Sequence, residues 1–168
     1  MNIKIRKARN GDEKTLAYIQ TESWKSAFAD IISADDLKKY TDIVKAESMY
    51  EKVLESRYAK VSILEIDGKP HCIAAWSKAR NPEFSDSAEL ICIHSLCDNW
   101  GKGYGTMMIN HILDEIKNSG YNSVVLWAFE KNTRARIFYE KHGFVLTNST
   151  QTSYGAVEVM YRKELCRI

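Results

Sequence analysis

No apolar run in the sequence approaches the length of a membrane span, and the opening stretch MNIKIRKARNGDEKT carries charges but no apolar h-region. These two absences predict a chain with no membrane partner and no secretory signal. No run of Lys and Arg stands out and the formal charge is only +2, so nothing marks a nucleic-acid surface. The four cysteines, Cys72, Cys92, Cys97 and Cys166, form no CxxC pair. Cys72 and Cys92 lie inside apolar segments and read as buried thiols rather than metal ligands or disulfide partners. No metal is expected, and a cytoplasmic home is the simplest. Repeats, linkers and low-complexity tracts are missing as well. The 168 residues therefore read as one domain, 1–168, long enough for a sizeable core.

What is present is an ordinary globular composition, 45% apolar and 27% charged. IKIRKA alternates as a strand. Leu16, Ile19 and Trp24 fall near helical spacing, which predicts a helix from about Asp12 to Phe28. Ser33, with Asp36 three residues on, starts one or two further helices between Ala34 and Glu55. KVSILEIDGKPHCIAAWSK is a hairpin around Asp67-Gly68. AELICIHSL and NSVVLWAF read as strands buried on both faces. Between them lies a helix with Ile109, Ile112, Leu113 and Ile116 on one stripe, ending near Gly120. Asn132 caps the short helix TRARIFYEKH, which stops at Gly143. GFVLTN and AVEVMYRKEL are the last strands. The order β-α-α-β-β-β-α-β-α-β-β is that of one α/β domain on a mixed sheet.

Three of the eight glycines fall within WGKGYGT, Trp100–Thr106, between a buried strand and a helix. A helix N-terminus offers unsatisfied N–H groups and partial positive charge, and bare backbone lets a phosphate approach them. The spacing excludes a P-loop, because Lys102 is followed by Gly103, and it gives GxGxG rather than the dinucleotide fingerprint. A tight turn without a ligand stays open at this point.

The segment Glu89–Phe144 closely resembles the GNAT N-acetyltransferase superfamily. Trp100-Gly101-Lys102-Gly103-Tyr104-Gly105 is similar to its [QR]-x-x-G-x-[GA] signature. Asn132, Ala135, Phe138, Tyr139, Gly143 and Phe144 match its N-x-x-A-x-x-F-Y-x-x-x-G-F segment. The two motifs are separated by the family's one helix and one strand, and ESWKSAF extends the likeness toward the N-terminus. The resemblance implies a mostly antiparallel seven-stranded mixed sheet flanked by helices, with a splay between two central parallel strands, Glu89–Leu96 and Ser123–Phe129. It implies acetyl-CoA as cosubstrate and a small-molecule or peptide amine as acceptor, with a homodimer allowed. Backbone from Trp100 through Gly101, Lys102, Gly103, Tyr104 and Gly105 to Thr106 would hold the pyrophosphate. Leu96 and Cys97 would pair with the pantetheine arm, and Asn132 would bond that arm or simply cap its helix. The sequence departs from the pattern twice. Trp100 replaces the Arg or Gln, leaving the amides to hold the phosphate without a side-chain charge. SLCDNW lacks the usual proline-containing turn.

Acetyl transfer needs a neutral amine, a polarised thioester carbonyl and a proton for the leaving thiolate. The resemblance makes Tyr139 the proton donor, with an ordinary pKa of about 10 near a thiol's roughly 8.5. Glu89 is the candidate base, acting through water, or else a solvated strand-end charge. His94 alternates to the opposite face from Glu89, so the two are not expected in one site. His142 reads as a helix-end residue. Trp24, Phe28 and Trp76 read as core before pocket wall. The alternative to an enzyme is a CoA-binding sensor or interaction module that has lost turnover.

Overall fold

A computed structural model describes residues 1–165, so Cys166 lies outside the described residues. The elements in chain order are β1 (Ile3–Lys7), α1 (Glu13–Ala27), α2 (Ala34–Tyr40), α3 (Ile43–Ser56), β2 (Lys60–Ile66), β3 (Lys69–Lys78), β4 (Ala88–Ser95), α4 (Tyr104–Asn118), β5 (Ser123–Phe129), α5 (Thr133–Lys141), β6 (Val145–Ser153) and β7 (Ala156–Glu164). The seven strands form one sheet in the order β1-β2-β3-β4-β5-β7-β6. Every neighbouring pair is antiparallel except β4–β5. This is the expected single α/β domain with a parallel central pair.

The local signals explain most boundaries. Ser33 caps α2 by accepting from the Asp36 amide at 3.1 Å. Asp42 caps α3 by accepting from the Val44 and Lys45 amides, and so divides the Ala34–Glu55 stretch into two helices. Asp12 does not cap α1 with its side chain. It is held by Arg6 instead, at 2.7 and 2.9 Å, which ties the start of α1 to β1. The final strands pair across a turn at Tyr154-Gly155, and β6 runs further than GFVLTN suggests.

Two layers of core sandwich the sheet. On one face Met108, Ile109, Ile112 and Ile116 of α4 are fully buried against Leu64, Cys72, Ala74 and Leu126. Each such side chain is worth roughly 1.5–3 kcal/mol of transfer free energy. Trp76 belongs to this core and donates its indole N–H to Glu115 at 2.8 Å. On the other face Leu16 and Ile19 of α1 and Ala46 and Tyr50 of α3 cover Ile63 and Ile73. Helix α5 is fastened to β7 through the buried Tyr161, whose hydroxyl accepts from Arg136 at 2.9 Å and donates to Glu140 at 2.7 Å. Cys72, Cys92 and Cys97 are free, and burial pushes the Cys72 and Cys92 thiols up to about 12. Among the described residues, no helix is long and apolar enough to cross a membrane.

Candidate active site

Strands β4 and β5 pair only at Ala88–Val124 and Glu89–Val125, then separate. The divergence coincides with a bulge. Trp76 of β3 opposes Leu90, but its neighbour Ala75 opposes Cys92, so Ile91 is an extra residue in β4. A bulge bends its strand and shifts the alternation by one. Leu90 packs with the α4 core and so does Ile93, while Ile91 and Cys92 both pack with the α1 core. The shift overturns the expectation from simple alternation that Glu89 and His94 face opposite sides. Both line the same cavity on the α1 side, where His94 accepts a 3.5 Å bond from the Trp24 indole.

The opening between the strands is a cavity of about 1420 Å³ that passes through the sheet. One end is the glycine loop. Gly101 and Gly103 have φ of 78° and 87°, the left-handed region that favours glycine. Gly103 is the N-cap of α4, and no side chain caps that helix. Tyr104, Gly105 and Thr106, which carry its first N–H groups, line the cavity, and among the described residues no side chain accepts from them. Gly105 serves a different need. Its φ is ordinary, but a Cβ there would stand 3.3 Å from the Phe138 ring, so the glycine lets α4 pack closely on α5. Lys102 is turned to Asn99, donating to its Oδ1 at 2.6 Å.

The middle of the cavity is the free edge of β4. The Leu96 amide bonds to the His71 carbonyl of β3 at 3.1 Å. Cys97 then begins a 3-10 turn, Cys97–Asn99, and is exposed. The Leu96 amide is therefore committed to β3 and is not open to the splay. Backbone groups alternate sides in an antiparallel pair, so with Leu96 and His94 bonded toward β3, Ile93 and Ser95 turn theirs toward the opening. Across the opening, Asn132 accepts the Ala135 amide at 3.2 Å through Oδ1, a helix cap that leaves its Nδ2 without a hydrogen-bond partner among the described residues. Tyr139 is nearly buried (9% exposed) among Phe138, Phe144 and Tyr161, and lines the cavity. Burial pushes its hydroxyl above the ordinary tyrosine value and keeps it protonated. The near match with a thiol expected from reference values is thereby widened. His142 ends α5, its Nδ1 at 2.7 Å from the Phe138 carbonyl.

The other end is walled by side chains. Trp24 meets Phe28 at 5.1 Å and Tyr154 at 5.0 Å, and Phe28 meets Phe129 at 4.9 Å, all edge to face. Tyr154 reaches this cluster because it sits in the β6–β7 turn with φ of 52°. Glu89 is not a solvated strand-end charge. It is 4% exposed and takes both the Arg80 guanidinium and the Arg80 amide on its two oxygens. Glu158, half-buried, completes the lining and accepts from Gln151 at 2.7 Å. Burial pushes His94 down to about 4, so it is a neutral imidazole at ordinary pH.

Sequence reasoning missed Arg80, Glu158, Tyr154 and Arg134. Arg134 lies over the Trp100 ring, 3.2 Å from its centroid, and the Trp100 indole N–H donates to the Ser95 carbonyl at 3.0 Å. Arg134 occupies an unspecified position of the N-x-x-A segment, where a motif carries no information. The signal available was the loss of a polar residue at Trp100.

A splayed parallel pair, an uncapped helix behind a glycine turn and a through-sheet cavity form the frame that the resemblance implies. The family model described as acetyltransferase (GNAT) matches residues 21–144. The chain belongs to this family. It is 23% identical over 145 residues to the uncharacterized N-acetyltransferase YuaI of Bacillus subtilis (strain 168), covering 83% of this chain and 79% of that one. Its fold is similar to that of the PaiA N-acetyltransferase of Thermoplasma acidophilum, solved in complex with coenzyme A, with a TM-score of 0.83 at 20% identity over 98% of this chain and 99% of the other. It is also similar to YncA of Salmonella typhimurium, solved with its cofactor acetyl-CoA, with a TM-score of 0.75 at 17% identity over 100% and 96% of the two chains.

Proposed function

We propose that this protein is a cytoplasmic acetyl-CoA-dependent N-acetyltransferase that moves an acetyl group directly to a small-molecule or peptide amine. The observation that carries the reading is the continuity of the cavity: it joins the uncapped α4 N-terminus on one face to the Trp24 wall on the other, with Tyr139 in its lining.

Bound acetyl-CoA supplies the acyl thioester. The amides of Gly101–Thr106 hold its pyrophosphate against the α4 dipole. The Ile93 backbone and the Ser95 amide, with Asn132 Nδ2 opposite, hold the pantetheine arm. An Ile93 amide turned to the splay polarises the thioester carbonyl, the task of any oxyanion site. The amine enters from the Trp24–Phe28–Tyr154 side. Glu89, with both oxygens occupied by Arg80, works by fixing a water that carries the amine's proton away. Tyr139 presents a protonated hydroxyl to the departing sulfur. No metal enters this scheme, and neither a nucleic-acid nor a membrane partner does.

The test is release of free thiol from acetyl-CoA across a library of amines. Amine-dependent release with a matching acetylated product is the expected result. Tight acetyl-CoA binding with no release on any amine would overturn it and leave a CoA-binding sensor on the same fold.

A further inference from the structure

We propose that Arg134, held flat on Trp100, grips a phosphate group of the bound CoA and so replaces the side-chain charge missing at position 100. The inference rests on the reading of the cavity as a CoA site, and it concerns a residue outside the matched motif positions.

Four observations support it. First, the guanidinium carbon lies 3.2 Å from the Trp100 centroid, a face-on stack. Stacking engages the π face and leaves the five in-plane N–H donors free. Second, those donors have no carboxylate partner among the described residues, whereas Arg6, Arg80 and Arg162 are each paired. Third, Arg134 sits in the first turn of α5, where a cation opposes the helix dipole. It shares the cavity lining with the α4 N-terminus, so an anion arriving there relieves the repulsion from both helices. Fourth, Lys102, the loop's own cation, is spent on Asn99.

Trp100 then has a definite task. Its N–H bond to the Ser95 carbonyl fixes the ring against the end of β4, and the ring fixes the guanidinium plane. A preorganised fork loses less freedom on binding than a loose side chain. The expectation that only amides hold the phosphate, with Trp100 a bystander, is thereby replaced: the indole positions a charge brought from another helix.

The test is calorimetric titration of CoA and of 3′-dephospho-CoA into four proteins, the parent, Arg134→Gln, Arg134→Lys and Trp100→Ala, each at two salt concentrations. Charge-assisted bonds of this kind predict that Arg134→Gln weakens CoA about tenfold to a hundredfold. Its salt dependence should flatten, and its ligand-free melting temperature should stay within about 2 °C of the parent. Arg134→Lys keeps the charge without the fork and should fall between the two. Trp100→Ala should lose about three- to tenfold by releasing the fork. A gap between parent and Arg134→Gln that persists with 3′-dephospho-CoA assigns the grip to the pyrophosphate, and one that closes assigns it to the 3′-phosphate. Parent-like affinity and salt dependence in Arg134→Gln overturn the proposal while leaving the functional reading intact. A parent that binds no CoA overturns both.

Discussion

At the end proposed for the cofactor the cavity is lined mainly by one short stretch of chain, Trp100–Gly101 and Gly103–Thr106, and at the end proposed for the acceptor by side chains from α1, β4, β5 and the β6–β7 turn. The first device is local. Two left-handed glycines and a helix start create it, and seven consecutive residues encode it. The second is assembled by the fold: Trp24, His94, Phe129 and Tyr154 lie far apart in sequence and meet only when the sheet closes. A backbone device suits a cosubstrate shared by a whole family, and a side-chain device suits an acceptor that differs between members.

The strongest way to break the comparison is at the point where the two ends meet. Tyr139→Phe keeps the packing with Phe144 and Tyr161 and removes only the hydroxyl. We expect kcat to fall about 10²–10⁴-fold with CoA affinity unchanged. Turnover equal to the parent's, with chemistry rate-limiting, would make Tyr139 a core residue and nothing more.

Next in size are the glycines, two of which should behave differently. We expect acetyl-CoA to raise the parent's melting temperature by mass action. Gly103→Val forces a β-branched residue to φ of 87° at the N-cap and should abolish most of that rise. Gly105→Val has ordinary φ and meets only the movable edge of Phe138, so it should keep part of the rise. Equal loss in both would mean that bared backbone, and not left-handed geometry, is what the loop supplies.

The same contrast sets what the sequence could reveal. Caps at Ser33 and Asn132, the Asp67-Gly68 hairpin and the α4 stripe depend on residues a few positions apart, and they appear where the pattern puts them. The orientation of His94 depends on one inserted residue, Ile91, whose presence shows only in the pairing with β3. Alternation counted through a bulge gives the wrong face for everything beyond it. The free edge of β4 is hard to read from the sequence for a related reason. Which amides of β4 are free depends on where its ladder with β3 ends, and Leu96 still belongs to that ladder. Arg80 and Arg134 were hidden because partner choice across loops and helices leaves no local trace.

A smaller effect sharpens the acceptor side. Glu89→Gln removes the charge but keeps the shape beside Arg80. Because both carboxylate oxygens are already taken by Arg80, we expect kcat to fall only about tenfold, at the bottom of the range for general catalysis or just below it, with KM for acetyl-CoA unchanged. A fall of a thousandfold would show that Arg80 swings away and that Glu89 takes the amine's proton itself. Unchanged kcat would remove Glu89 from the reaction.

The smallest effect concerns His94, and it is read in stability. Burial lowers its folded value to about 4, against about 6.5 in an unfolded chain. Above pH 6.5 both states are neutral and the residue adds no pH dependence. As pH falls from 6.5 toward 4 the unfolded chain takes the proton first, so stability falls with pH over that window and levels off below it. His94 lines an open cavity that water enters, so we discount the full shift to something on the order of 1 kcal/mol at pH 5. For a chain of this length that is about 2–4 °C in melting temperature. The parent should therefore lose about that much more than His94→Gln when both are melted at pH 7.5 and at pH 5. Groups common to both proteins, His71 among them, cancel in this difference. An equal loss in the two would show that His94 is charged in the folded protein and drawn toward Glu89 across the bulge. The imidazole would then belong to the acid–base machinery of the acceptor side. With the expected result it is a neutral acceptor for the Trp24 N–H, and an acidic limb in the pH–rate profile near neutrality would have to come from the substrate amine.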